Sequence, residues 1–120
     1  MKKIILRFLI KYKLVKELNL VTILKLIKSD YIRRNKNRQN SLGICYCVLK
    51  TLHYILPKAS NKLILNLKIN IMNHISISVF NKIMAINRFW FDDKDHNGRI
   101  DTLNKAINYY KKYKTNIVLS

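Results

Sequence analysis

The chain is short of acid. Its 120 residues carry 6 Asp and Glu against 24 Lys and Arg, a formal net charge of +18. Acid–base catalysis draws on carboxylates held in contrasting environments. Here the only glutamate is Glu17, and four of the six acids crowd between Asp92 and Asp101. No nucleophile–base pair can be assembled around them, and no enzyme is expected. Glycine and proline are also scarce, at 2 and 1. That excludes a glycine-rich phosphate cradle and argues against a disordered chain. The two cysteines, Cys45 and Cys47, stand two apart. Such a pair makes a poor disulfide, and on a helix its members do not share a face. Adding His53 or His74 still falls short of a zinc pattern. Reduced, buried thiols in a cytosol are expected. Long apolar runs are absent too. The N-terminal stretch is interrupted by Arg7 and Lys11 with no small-residue cleavage site behind it. The uncharged run from Leu18 to Leu24 is far too short to cross a bilayer. A cytoplasmic protein without a transmembrane segment is expected, although the basic, apolar N-terminus suits a membrane surface.

What is present points to helices. Hydrophobic residues make up 49% of the chain, enough for one domain over residues 1–120 with its own core. Residues 4–16 alternate like a strand at Leu6, Phe8, Ile10, Tyr12 and Leu14, but Lys and Leu favour a helix and no turn residue intervenes before Asn19. From 20 to 34, Leu20, Ile23, Leu24, Ile27 and Tyr31 recur at helical spacing behind an Asn19 cap. Leu42, Cys45, Val48, Leu49, Leu52, Ile55 and Leu56 form one stripe over 42–56, with Ser41 as the expected cap and Pro57 as the stop. Residues 63–80 read two ways. Leu65, Leu67, Ile69 and Ile71, then Ile75, Ile77 and Val79, alternate with polar residues and favour a β-hairpin turning near Asn73. Leu63, Leu67, Ile71 and Ile75 equally fit one helical face. A short helix is expected over 81–91 and a last one over 101–114, built on Leu103, Ala106, Ile107, Tyr110 and Tyr113. The apolar tail at 116–120 is expected to pack back. The expected fold is therefore a mainly α, compact helical bundle, with residues 63–80 its one candidate hairpin.

The basic charge has two readings. A surface of this sign attracts polyanions, nucleic acid first among them. Arg33, Arg34, Lys36 and Arg38 sit in an apolar-free run with Asn37, Gln39 and Asn40, suited to phosphates, sugars and bases. Lys111, Lys112 and Lys114 interleave with Tyr109, Tyr110 and Tyr113, as in single-strand binders. The competing reading is a solvated surface. Lys, Ile and Asn together make 50 of the 120 residues and have A/T-rich codons, so gene composition alone raises the lysine count. Lys also outnumbers Arg 18 to 6, the wrong bias for bidentate phosphate contacts.

The acidic island is the other motif. Asp93, Asp95, Asn97, Gly98, Arg99, Ile100 and Asp101 follow the order of a calcium loop: oxygen ligands at positions 1, 3 and 5, glycine at 6, a backbone carbonyl at 7, an aliphatic at 8 and oxygen at 9. The segment resembles a single EF-hand loop, and the resemblance implies calcium as a ligand and an interaction module as the function. It departs from the family at the twelfth position, where Asn104 replaces the bidentate glutamate, and no second hand is present. The alternative is an ordinary Asn-Gly turn leading into a capped helix. A second resemblance rests on Gly43-Ile44-Cys45 opening an apolar helix, Phe89-Trp90-Phe91, and Gly98-Arg99-Ile100-Asp101-Thr102-Leu103. It is to small uncharacterised proteins of phages and mobile elements. It implies a compact helical fold in which the aromatics and Arg99 are structural, and it brings no activity with it. Three functions follow as expectations: a non-enzymatic binder of nucleic acid or another anionic partner, a calcium-binding module, and a structural protein whose charge is of codon origin.

Overall fold

The computed structural model describes residues 3–11, 16–36, 43–81 and 95–119. Among them are five helices and two short strands: α1 Lys3–Lys11, β1 Glu17–Asn19, α2 Leu20–Arg34, α3 Ile44–Ile55, α4 Asn61–Phe80, α5 His96–Lys112 and β2 Asn116–Val118. Local chemistry sets several of the ends. Asn19 caps α2, its side chain accepting from the Val21 amide at 2.8 Å. Pro57 ends α3, because a residue before proline is driven out of the helical region; Leu56 stands there at φ −125°, ψ 64°. The cap of α3 is Gly43, which has no side chain to offer, and not the expected Ser41.

The expected hairpin at 63–80 is instead the longest helix described. Ser60 caps α4, its hydroxyl accepting from the Leu63 amide at 3.2 Å. Ile64, Leu67, Ile71, Met72 and Ile75 are buried along one face, while Leu65 and Ile69, two of the seven alternating residues, are exposed. Period two was therefore coincidental: the i, i+4 spacing places a single stripe against the core, and tertiary burial outweighs the β preference of isoleucine. Asn81 closes the helix at φ 58°, a left-handed position that asparagine tolerates, and its amide returns to the Ile77 carbonyl at 2.8 Å.

Four helices close a ring around one core. α2 packs on α3, α3 on α4, α4 on α5, and α5 returns to α2; α1 lies against α3. Leu20, Ile23, Leu24, Ile27, Ile44, Val48, Leu52, Ile71, Leu103 and Ala106 are all buried inside it. The tail packs back as expected. β2 pairs antiparallel with β1, Leu18 opposite Ile117, and Ile117 and Leu119 are buried. This pairing fixes the start of α2 beside the end of α5, where the Leu20 amide donates to the Thr115 carbonyl at 2.8 Å. At the other end Tyr31 stacks on His96, with ring centres 5.3 Å apart. α2 and α5 thus run antiparallel. The radius of gyration is 13.7 Å, close to the roughly 13.6 Å expected of a compact chain this long.

α4 has the length and mean hydropathy of a membrane span. Here one face of it supplies the core between α3 and α5, and Asn66, Lys68, Asn70 and Asn73 interrupt the rest.

Candidate polyanion interface

The antiparallel α2–α5 pair leaves a groove on its solvent side. Lys25, Lys28, Ser29 and Ile32 line it from α2, and Asn104, Ile107, Asn108 and Lys111 from α5. The positions follow helical spacing: on α5 they flank the apolar stripe, with buried Ile107 at the groove floor, and on α2 they lie on the polar face. The groove encloses about 590 Å³, and no described residue lining it is acidic. A second depression on the other side of α2 shares Lys25 and Ser29 and adds Lys3, Asp30 and Arg33. Lys25 and Ser29, at i and i+4, therefore stand between the two hollows, and Arg33 at i+8 continues their row along the second. From Lys25 to Arg33 the helix rises about 12 Å. At one charge per roughly 3.4 Å on a strand, that is the reach of three or four phosphates.

The expected cationic residues are split by this geometry. Lys111 lines the groove, and Lys112 and Lys114 are exposed near the same end. Arg33, Arg34 and Lys36 lie toward the far end of α2, and Arg38 falls outside the described residues. Two of these side chains are partly committed. Arg33 donates to Asp30 Oδ1 at 3.2 Å, although most of it remains exposed. Arg34 is half-buried, its guanidinium carbon 6.0 Å from the centre of the Tyr46 ring. Lys25, Lys28, Asn104 and Asn108, which join the two clusters, were missed because a sequence scan favours runs of charge. The signal was present as Lys25, Lys28 and Arg33 on the polar face of α2, and Asn104, Asn108 and Lys111 on that of α5.

The tyrosines separate as their helical phase requires. Tyr110 is buried, and its hydroxyl donates to the His74 carbonyl at 2.9 Å. That leaves the His74 Nδ1, 3.0 Å from the same oxygen, as the donor back to it. Burial, with a smaller contribution from Tyr109, pushes the Tyr110 hydroxyl up to about 12. Tyr113 is exposed, with its ring 4.8 Å from that of Tyr109.

Asp30 organises the opposite kind of site. It is buried, with Lys3 Nζ 2.9 Å and Arg33 Nη2 3.2 Å from Oδ1 and the Thr51 hydroxyl 2.7 Å from Oδ2. Burial pushes its pKa up, but the Thr51, Lys3 and Arg33 contacts outweigh that and leave it below the ordinary 3.8. One carboxylate thereby ties α1, α2 and α3 together.

Most of the calcium-loop motif is helix. Asp95 is the N-cap of α5, its Oδ1 accepting from the Gly98 amide at 2.7 Å. Asn97, Arg99 and Asp101 lie within that helix, which starts at His96 and not at 101. A helix commits the Arg99 carbonyl to its own ladder, so it does not offer the backbone oxygen that the seventh position of the motif calls for. Asp93 lies outside the described residues, as do the expected 81–91 helix beyond Asn81 and the aromatics Phe89, Trp90 and Phe91. Among the described residues no three of His, Cys, Asp and Glu converge. Arg99 is buried and reaches the Tyr31 hydroxyl at 3.4 Å, a packing role between α5 and α2. Cys45 and Cys47 are buried and are not joined by a disulfide. Burial pushes the Cys47 thiol up to about 11, which keeps it protonated and unreactive.

No family model, curated protein or solved structure matches the chain.

Proposed function

We propose that this is a small, non-enzymatic, cytosolic protein that binds nucleic acid through the α2–α5 groove. One observation carries the reading: Lys25, Lys28 and Lys111 converge with Ser29, Asn104 and Asn108 where no described acid neutralises them. Cations so placed attract phosphates, and the short amides and hydroxyl between them suit sugar or base edges. Lys112, Lys114, Lys36 and Arg33 extend the basic track at either end. Its Lys bias favours backbone contact over sequence readout. The resemblance to small phage and mobile-element proteins implies a compact helical fold and assigns no activity.

Fluorescence anisotropy with single-stranded RNA, single-stranded DNA and duplex DNA across a salt series tests the proposal. Binding should weaken log-linearly with salt, with a slope near −3 to −5 for about four to six phosphate contacts. The variant Lys25→Glu/Lys28→Glu/Lys111→Glu should lose most of the affinity. A variant with the same charge change at Lys58, Lys62 and Lys68, outside the groove, should lose much less. Equal losses in the two variants would reduce the effect to bulk charge and remove the groove as a site.

A further inference from the structure

We infer that the ligand is duplex DNA and that α2 itself enters its major groove, an inference that rests on the nucleic-acid reading of the α2–α5 groove. The placement of two hollows carries it. One lies between α2 and α5, where Lys28 and Ile32 face Asn108 and Lys111. The other lies on the opposite flank of α2, lined by Lys3, Thr22 and Arg33 among others. Lys25 and Ser29 border both. This stretch of α2 is therefore a crest, with a depression of about 590 Å³ on one side and about 480 Å³ on the other. A single strand tracks along one channel. A crest between two channels matches a duplex, whose major groove has a sugar-phosphate backbone on each side.

The size and chemistry of the crest agree. An α-helix with its side chains is about 10–12 Å across, and the B-form major groove is about 12 Å wide. Lys25, Ser29, Ile32 and Arg33 are all exposed, and helical phase gathers them into one strip about 100° wide. Lys36, also exposed, follows just beyond the helix end. No acid stands on this strip. Ile32 is 42% exposed beside the groove; an apolar side chain there is matched by the thymine methyl group, and the Ser29 hydroxyl suits base-edge donors and acceptors alike. Lys28 and Lys111 on one flank and Arg33 on the other are placed for the two backbones. Asp30 does line the second hollow. Its carboxylate is held by Lys3 and Arg33 at 2.9 and 3.2 Å, and the Arg33 side chain still keeps 61% exposure. Duplex RNA is a poorer match, because its A-form major groove is too narrow to be read from inside.

Anisotropy titrations with a short duplex DNA, its single strand and the duplex RNA of the same sequence test the assignment. At one salt concentration the DNA duplex should bind about tenfold more tightly than either of the others. Filling the major groove, by placing glucosylated 5-hydroxymethylcytosine at every cytosine, should weaken binding about tenfold or more. Netropsin, seated in the minor groove of an A/T tract in the same duplex, should change it less than about twofold. Ile32→Ala/Lys36→Gln alters two exposed side chains, so the fold should survive by circular dichroism. Its duplex affinity should fall about tenfold and its salt slope by about one. Equal affinity for all three nucleic acids, each falling with salt, would leave the groove a nucleic-acid site and overturn the entry of α2. So would loss of binding with netropsin but not with glucosylation, or a double variant that binds duplex DNA like the unaltered protein. Failure to bind any of the three at low salt would remove both readings.

Discussion

Two basic regions share helix α2 and behave differently. Around Asp30, cations from α1 and α2 converge on one buried carboxylate, and the cluster holds three helices together. Along the α2–α5 groove, Lys25, Lys28 and Lys111 converge where no described acid lies. The difference is a single acidic residue. With it, positive charge serves internal packing; without it, the same charge is left to solvent. In a chain with four lysines or arginines for every acid, the few acids decide which cations are structural.

The largest way to break this contrast is to remove the acid. Asp30→Ala should cost about 3 kcal/mol in urea unfolding, since it strands the Thr51 hydroxyl and the Lys3 ammonium beside it. The same residue sets an acid limit. Its pKa is held below the ordinary 3.8 in the folded state. Its contribution is therefore complete above the unfolded value and is lost as pH falls through the lower folded one. Stability measured from pH 5 down to pH 2 should fall less steeply in Asp30→Asn than in the unaltered protein.

Placing an acid in the groove sharpens the comparison from the other side. Ser29→Glu puts a carboxylate four residues from both Lys25 and Arg33. Oligonucleotide affinity should drop about tenfold at low salt, while thermal stability rises by a few tenths of a kcal/mol from the new i, i+4 pairs. Effects of opposite sign are the diagnostic; a loss of both would mean that Ser29 has a packing role instead.

Tyr110 tests the far side of α5. Tyr110→Phe removes the hydroxyl shared with the His74 carbonyl and ring and should cost about 1 kcal/mol, with oligonucleotide affinity unchanged. Burial lowers the His74 pKa below 6.5, so the imidazole is neutral in the fold and charges more readily when unfolded. Stability should decline as pH drops below about 6.5 and level off once the folded imidazole is also protonated; His74→Phe should flatten that slope. The smallest effect is expected at Lys112→Gln/Lys114→Gln, exposed charges beyond the groove, where affinity should fall less than about fivefold.

Much of this was legible in the chain itself. The stripes at 20–34 and 42–56, the Asn19 cap and the Pro57 stop are local features, set by helical period and side-chain chemistry over a few residues. The inward face of the last helix and the buried thiols follow for the same reason. The readings that failed needed information from elsewhere in the fold. Residues 63–80 carry two apolar periods at once, and only the position of the core between α3 and α5 selects Ile64, Leu67, Ile71 and Ile75 over Leu65 and Ile69. The residues from Asp95 to Asp101 satisfy a loop motif and a helix start equally well. Burial of Arg99 against Tyr31, 68 residues away, places that stretch in α5.

The candidate site divides along the same line. Composition alone determined that the surface is basic, that hydrolytic chemistry has few acids to use, and that Lys111 stands on a polar helical face. That Lys111 meets Lys25 and Lys28 while Arg33 is partly drawn to Asp30 was decided only by the antiparallel pairing of α2 with α5. Charge is additive along a chain, so it can be counted from the sequence. Neutralisation depends on distance, and the distances between residues far apart in sequence exist only once the helices have packed.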